Sequence, residues 1–160
     1  MTTSTRTERR AQRLDDPRFE RFRTRPARRR LVVALAALLL VEAGLFVVME
    51  SAPVAGAAAL AVLLAAFVLL LGALKASTRG VEELPAEALD ERQWQLRGEA
   101  YALSYRIGFA LLTVELAVVA AWLTFDWPAP GTGIAIAAVL LPFHVGIVLP
   151  SMVTAWSREV

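Results

Sequence analysis

Four apolar runs organise the sequence, at residues 31–49, 53–74, 107–125 and 131–156. A helix needs about 20 apolar residues to cross the roughly 30 Å hydrocarbon core of a bilayer, and each run is long enough to do so once. None alternates apolar and polar residues with a period of two, as a barrel strand would. In lipid the backbone must bond to itself, so the runs are expected to be helices. The predicted fold class is all-α, a polytopic membrane protein with four transmembrane helices.

The pattern does not stop at the start of the third run. Leu89, Gln93, Leu96, Ala100, Leu103 and Ile107 are spaced 4, 3, 4, 3, 4, one stripe of a helix that continues into the membrane segment. Trp94, Gly98, Tyr101 and Tyr105 form a second, aromatic stripe. Pro85 suits the first turn of such a helix, with Glu82, Glu83 and Glu87 near its positive end. A helix of about 40 residues, near 60 Å long, is predicted, its lower half leaving the membrane. The chain then divides into a tail (1–30), a first hairpin (31–74), a polar loop and amphipathic helix (75–106), a second hairpin (107–156) and a short end (157–160).

Charge adds direction to this layout. Eleven arginines precede Leu31, five Lys or Arg (Lys75, Arg79, Arg92, Arg97, Arg106) lie between the second and third runs, and Arg158 completes the 17. The other two connections, "ESA" and "DWPAPG", carry none. Basic residues mark cytoplasmic loops, so both termini and the central loop are expected in the cytoplasm. A cleaved signal peptide is the competing reading of the N-terminus. Its basic region and its apolar run would both be too long, so the first run is expected to stay as an anchor. The tail is charged and Pro-interrupted, hence expected to be disordered. Its natural partner is the anionic headgroup layer, and without a folded reader nucleic acid is not expected.

Composition narrows the chemistry. Of 160 residues 57% are hydrophobic and the mean hydropathy is +0.53, far from a soluble domain. The chain has no Cys and a single His, His144. Thiol nucleophiles, disulfides and His or Cys metal clusters are therefore absent, and no nucleophile–base pair is visible. No enzyme activity, cofactor or metal is expected.

Three titratable residues are costly where they stand. Glu42 lies about 16 Å past Leu31, Glu115 about 13 Å past Arg106, and His144 about 16 Å past Gly133. An acid at such depth must be protonated, paired or turned into the bundle. Glu42, Glu115 and His144 thus form a candidate intramembrane polar site, either a proton or cation site or a set of interhelical hydrogen bonds. Pro142 and Pro150 each remove an amide donor beside His144, which predicts a bent fourth helix. "ALLLVEAGL" at 37–45 aligns with "ALLTVELAV" at 110–118, offset 73, and "GAAALAVLL" at 56–64 with "GIAIAAVLL" at 133–141, offset 77. The chain reads as two tandem hairpins, chance likeness between Ala/Leu-rich helices being the alternative. Small-residue rows at Ala57, Ala61, Ala65 and at Ala117, Ala121 predict close helix packing.

The polar half of the third helix supplies a candidate contact surface: Asp90, Glu91, Arg92, Trp94, Arg97, Tyr101 and Tyr105. Glu87 and Glu91 are a like-charged i,i+4 pair, and neither Arg92 nor Arg97 has an acid four residues before it. The segment "DERQ…R…A…SYRIG", here Asp90–Gln93 with Arg97, Ala100 and 104–108, resembles that of a loosely defined group of small bacterial four-span membrane proteins. The resemblance implies the topology and carries no catalytic residue. The four helices with a membrane Glu in the first are also similar to small multidrug-resistance transporters. The long basic tail, the polar helix and the second Glu depart from that pattern. The expected function is a non-enzymatic accessory or regulatory subunit acting through helix association, with a homo-oligomer or another membrane protein as partner. The alternative is a small proton-coupled transporter or ion-binding bundle using Glu42, Glu115 and His144.

Overall fold

A computed structural model describes residues 17–49, 51–78, 81, 84–85 and 89–157. The described chain is all-helical, and four of its helices are long and apolar enough to cross a membrane. They are α1 (Arg25–Val48), α2 (Pro53–Ser77), α3 (Glu91–Thr124) and α4 (Thr132–Trp156), preceded by a short 3-10 turn at Pro17–Phe22. The expectation of a disordered tail falls mostly on residues 1–16, which lie outside the described residues, as do Glu82, Glu83, Glu87, Arg79 and Arg158.

Each boundary has a local cause. Helix α1 begins at Arg25, six residues before the apolar run, because Pro26 occupies its first turn, where a missing amide costs nothing. Pro53 starts α2 in the same way. Helix α3 is 34 residues long, about 51 Å at 1.5 Å per residue. It starts at Glu91 and not at Pro85, because Asp90 is a stronger start signal than proline alone. The Asp90 side chain accepts from the Gln93 amide at 2.7 Å and the Gln93 side chain accepts from the Asp90 amide at 3.2 Å, a capping box. At the far end Asp126 turns the chain with a φ of 50°, a left-handed value that Asp tolerates better than most residues. Trp122 closes that turn, its ring N–H donating to the Pro128 carbonyl at 2.8 Å.

Helix α4 is the hub of the bundle. It packs against all three other helices, α1 also packs against α2, and the main contact of α3 is α4. The buried residues of α1 are Arg28, Val32, Leu35, Leu39, Glu42 and Phe46, a single stripe spaced 4, 3, 4, 3, 4 that faces the bundle. Val32, Leu35, Leu39, Leu74, Val148 and Ala155 form the buried core. Apart from Leu39, near the middle of α1, they lie toward the arginine-rich end of the bundle. The small-residue rows behave otherwise: Ala57, Ala61, Ala65 and Ala117 are exposed and Ala121 is half-buried. The contacts of α2 run instead through Phe67, Leu70, Leu71 and Leu74, whose larger side chains bury more apolar area per residue.

Candidate functional site

Position 42 on the buried stripe of α1 belongs to a glutamate. Its Oε1 lies 2.6 Å from Nδ1 of His144 on α4, and Glu42 is 1% exposed. The separation is within hydrogen-bond range. The alignment is not that of a linear hydrogen bond, and neither atom has another partner. Phe67 of α2 packs against the imidazole, with ring centroids 5.7 Å apart, and the ring of Phe143, the preceding residue on α4, lies 6.0 Å away. Two of the three intramembrane titratable residues therefore meet, at a junction of α1, α2 and α4 walled by aromatic rings. The side chain of His144 keeps 19% exposure, so the pair is not sealed.

Glu115 is elsewhere. It is half-buried on α3 and lines an apolar groove of about 620 Å³ between α3 and α4. Neither Glu42 nor His144 lines that groove. The nearby hydroxyl of Thr113 donates to the Phe109 carbonyl of its own helix at 2.8 Å. The two glutamates that align in the sequence thus occupy unlike environments, one inside the bundle and one on its flank. Helix α4 remains one helix from Thr132 to Trp156 through Pro142 and Pro150. These prolines leave the carbonyls of Ala138 and Gly146 without an amide one turn on. Ala138, Pro142 and Gly146 all line the groove that holds Glu115.

The candidate contact surface on α3 separates into two sets. One set is structural. Asp90 caps the helix and Gln93 completes the box. Arg97 donates from Nη1 to the Leu84 carbonyl at 2.5 Å, tying the α2–α3 connection to the helix. Ala100 and Ser104 are the only buried residues of α3, and the Ser104 hydroxyl donates back to the Ala100 carbonyl at 2.7 Å. Glu91 is exposed in the first turn, where its charge suits the helix dipole. The other set is outward-facing: Trp94 is 54% exposed, Tyr101 45% and Tyr105 73%. The Arg97 guanidinium lies 5.7 Å from the Trp94 ring and 5.9 Å from that of Tyr101, within reach of a cation–π contact. Arg92 and Tyr101 are engaged in interactions as well. The i,i+4 rule left Arg97 without a partner because its partners are a carbonyl 13 residues away and aromatic rings.

Sequence reasoning missed one residue. Arg28, at the start of the α1 stripe, is 3% exposed, and its Nε and Nη1 have no hydrogen-bond partner. Its place on the same 4, 3, 4 spacing as Val32 and Leu35 was the available signal. An arginine among eleven was read as topology alone.

These features define a class, the multi-pass helical membrane protein with a buried glutamate against a partly exposed imidazole and one largely unburied long helix. Among the described residues no group of three His, Cys, Asp or Glu could hold a metal ion. No protein family matches the chain, and comparisons with curated proteins and with solved structures find no match.

Proposed function

We propose that the protein is a non-enzymatic accessory or regulatory membrane subunit that acts through helix association, with α3 as its contact surface. The observation that carries this reading is that only two of the 34 residues of α3 are buried. The rest presents Trp94, Tyr101 and Tyr105 outside the apolar run, and within it a half-buried Glu115. Lipid satisfies the apolar part of that face, but a carboxyl group in hydrocarbon is costly. A polar group on a neighbouring transmembrane helix would offset that cost by roughly 1 kcal/mol. The distribution of arginines supports a placement with both termini and the α2–α3 connection in the cytoplasm, and the resemblance to small bacterial four-span proteins points to a bacterial inner membrane. The aromatic half of α3 would then meet its partner at the cytoplasmic face.

Because the chain has no Cys, single cysteines test the surface cleanly. In native membranes, Tyr105→Cys and Val118→Cys should crosslink to a second copy or to one defined subunit, while the exposed Val62→Cys on α2 should not. Equal crosslinking at all three positions would overturn the reading. A second reading, a proton-coupled bundle, is favoured by the 2.6 Å Glu42–His144 contact. Purified protein in liposomes loaded with a pH-sensitive dye would then dissipate a proton gradient, and Glu42→Gln would abolish the flux. No flux above empty liposomes ends that alternative and leaves the association reading intact.

A further inference from the structure

Arg28 is a permanently charged group with two of its three guanidinium nitrogens, Nε and Nη1, turned away from water. A guanidinium stays protonated in proteins, and a buried charge without a partner is among the costliest arrangements available to a fold. Arg25, three residues earlier on the same helix, adds like charge. The next residue, Arg29, also has a buried Nε without a hydrogen-bond partner. Its guanidinium lies 4.9 Å over the ring of Trp156, at the end of α4. Two consecutive arginines therefore hold unsatisfied donors where α1 begins and α4 ends.

The same end of the bundle has an open slot. A cavity of about 370 Å³ is lined by Val32 of α1, by residues of α3 from Leu96 to Ile107, and by the last turns of α4 including Met152 and Trp156. Val32 is one turn beyond Arg28 on the same buried stripe. Trp156 is the ring beneath Arg29. From Leu96 to Ile107 the slot runs about 16 Å along α3, a length suited to most of an acyl chain. Its walls are apolar apart from Glu99, Thr154 and Ser157. The hydroxyl donors of Thr154 and Ser157 are already used on the carbonyls of Pro150 and Thr154. Glu99 repels an anion, but it is exposed and so largely screened.

We propose that this slot holds an anionic phospholipid, with its phosphate on the donors of Arg28 and Arg29 and an acyl chain along Leu103, Ile107 and Met152. A phosphate offers the guanidinium donors of two neighbouring arginines an acceptor of opposite charge. An arginine at the end of a membrane helix lies at headgroup level, so the slot runs from the headgroup layer into the hydrocarbon. The inference rests on the bilayer placement of the four helices and is independent of what α3 contacts.

The test uses the full chain purified in a neutral detergent, with retained lipid read by native mass spectrometry and thermal stability read in parallel. Phosphatidylglycerol should be retained over phosphatidylcholine by at least about tenfold, the value of one charge-assisted hydrogen bond, and should raise Tm more. Arg28→Gln should lose the preference yet be no less stable than the parent protein without lipid, because it removes an uncompensated buried charge. Arg29→Gln should weaken the preference, and Glu99→Gln should strengthen it. Leu103→Trp, which fills the slot from an exposed position, should lower retention of both lipids. Equal retention of the two lipids would overturn the proposal, as would an undiminished preference in Arg28→Gln. Displacement of the lipid by millimolar inorganic phosphate would also overturn it, showing a free-anion site in its place.

Discussion

Glu42 and His144 show how a residue acquires its meaning from one neighbour. Either side chain alone in the bundle would be an uncompensated polar group, and together they form one contact of 2.6 Å. Breaking a buried pair from one side leaves the other stranded, at a typical cost of about 3–5 kcal/mol. His144→Ala should therefore destabilise the protein by about 3 kcal/mol, and Glu42→Gln, which keeps the shape and removes the charge, by less. A double-mutant cycle followed by denaturant unfolding in micelles checks this, with a coupling above about 1 kcal/mol expected for residues in contact. Asp90 supports a second residue-scale prediction. Asp90→Ala removes an N-cap and should cost about 1 kcal/mol, with faster amide exchange confined to residues 91–95. Faster exchange along the whole of α3 would instead point to a role in packing. The capping pattern was legible in "DERQ", an acid followed three residues later by Gln. Pro85 drew the predicted start six residues too early because proline at a first helical turn is also a start signal. A side-chain bond to an orphan amide is the stronger of the two.

At the scale of elements, α3 is the helix whose sequence and packing diverge most. Its amphipathic stripe at Leu89, Gln93, Leu96, Ala100, Leu103 and Ile107 is regular, yet only Ala100 of that stripe is buried. Periodicity shows that a face exists and does not say how much of it a neighbour covers. Here Leu96, Leu103 and Ile107 line an open slot beside the last turns of α4 and are not packed against them. Two small residues on α3 make this testable. Ala100→Leu at the buried contact should cost about 1–3 kcal/mol through overpacking, while Ala102→Leu, on an exposed position, should be close to neutral. Thermal unfolding of both variants compares the two faces of one turn, and equal losses would show that α3 is covered on both sides. The contact-surface residues divide by the same logic. Asp90 and Arg97 have local partners that explain them, and Trp94, Tyr101 and Tyr105 face outward and carry the association proposal.

At the scale of the molecule, the arrangement is two antiparallel hairpins joined through α1 and α4. Arg29 over Trp156 places the start of the first span and the end of the last at the same end of the bundle, as four antiparallel crossings require. The orientation prediction follows from charge alone: single cysteines at Ser51 and Ala129 should react with a membrane-impermeant maleimide from outside intact cells, and one at Ser157 should react only after lysis. Reaction at Ser157 before lysis would reverse the assignment. The internal alignment places Glu42 on Glu115. The bundle breaks that equivalence because α1 is covered by two helices and α3 chiefly by one.

What the sequence determined by itself was everything that lipid imposes on a chain regardless of its neighbours. Run length, the absence of strand alternation and the count of arginines per loop decide the number, kind and expected direction of the spans, because each is a transfer free energy of one segment. Depth along a helix is also local, and it marked Glu42, Glu115 and His144 as costly. Only the tertiary structure decided which of these meet. Pairing depends on the rotation of each helix about its axis and on which helix lies beside it. Chains as uniformly apolar as α2 and α4 carry little information on either, since every face of such a helix is equally content in lipid. The same packing buried Arg28 without a partner, which no count of charges could have distinguished from its ten neighbours.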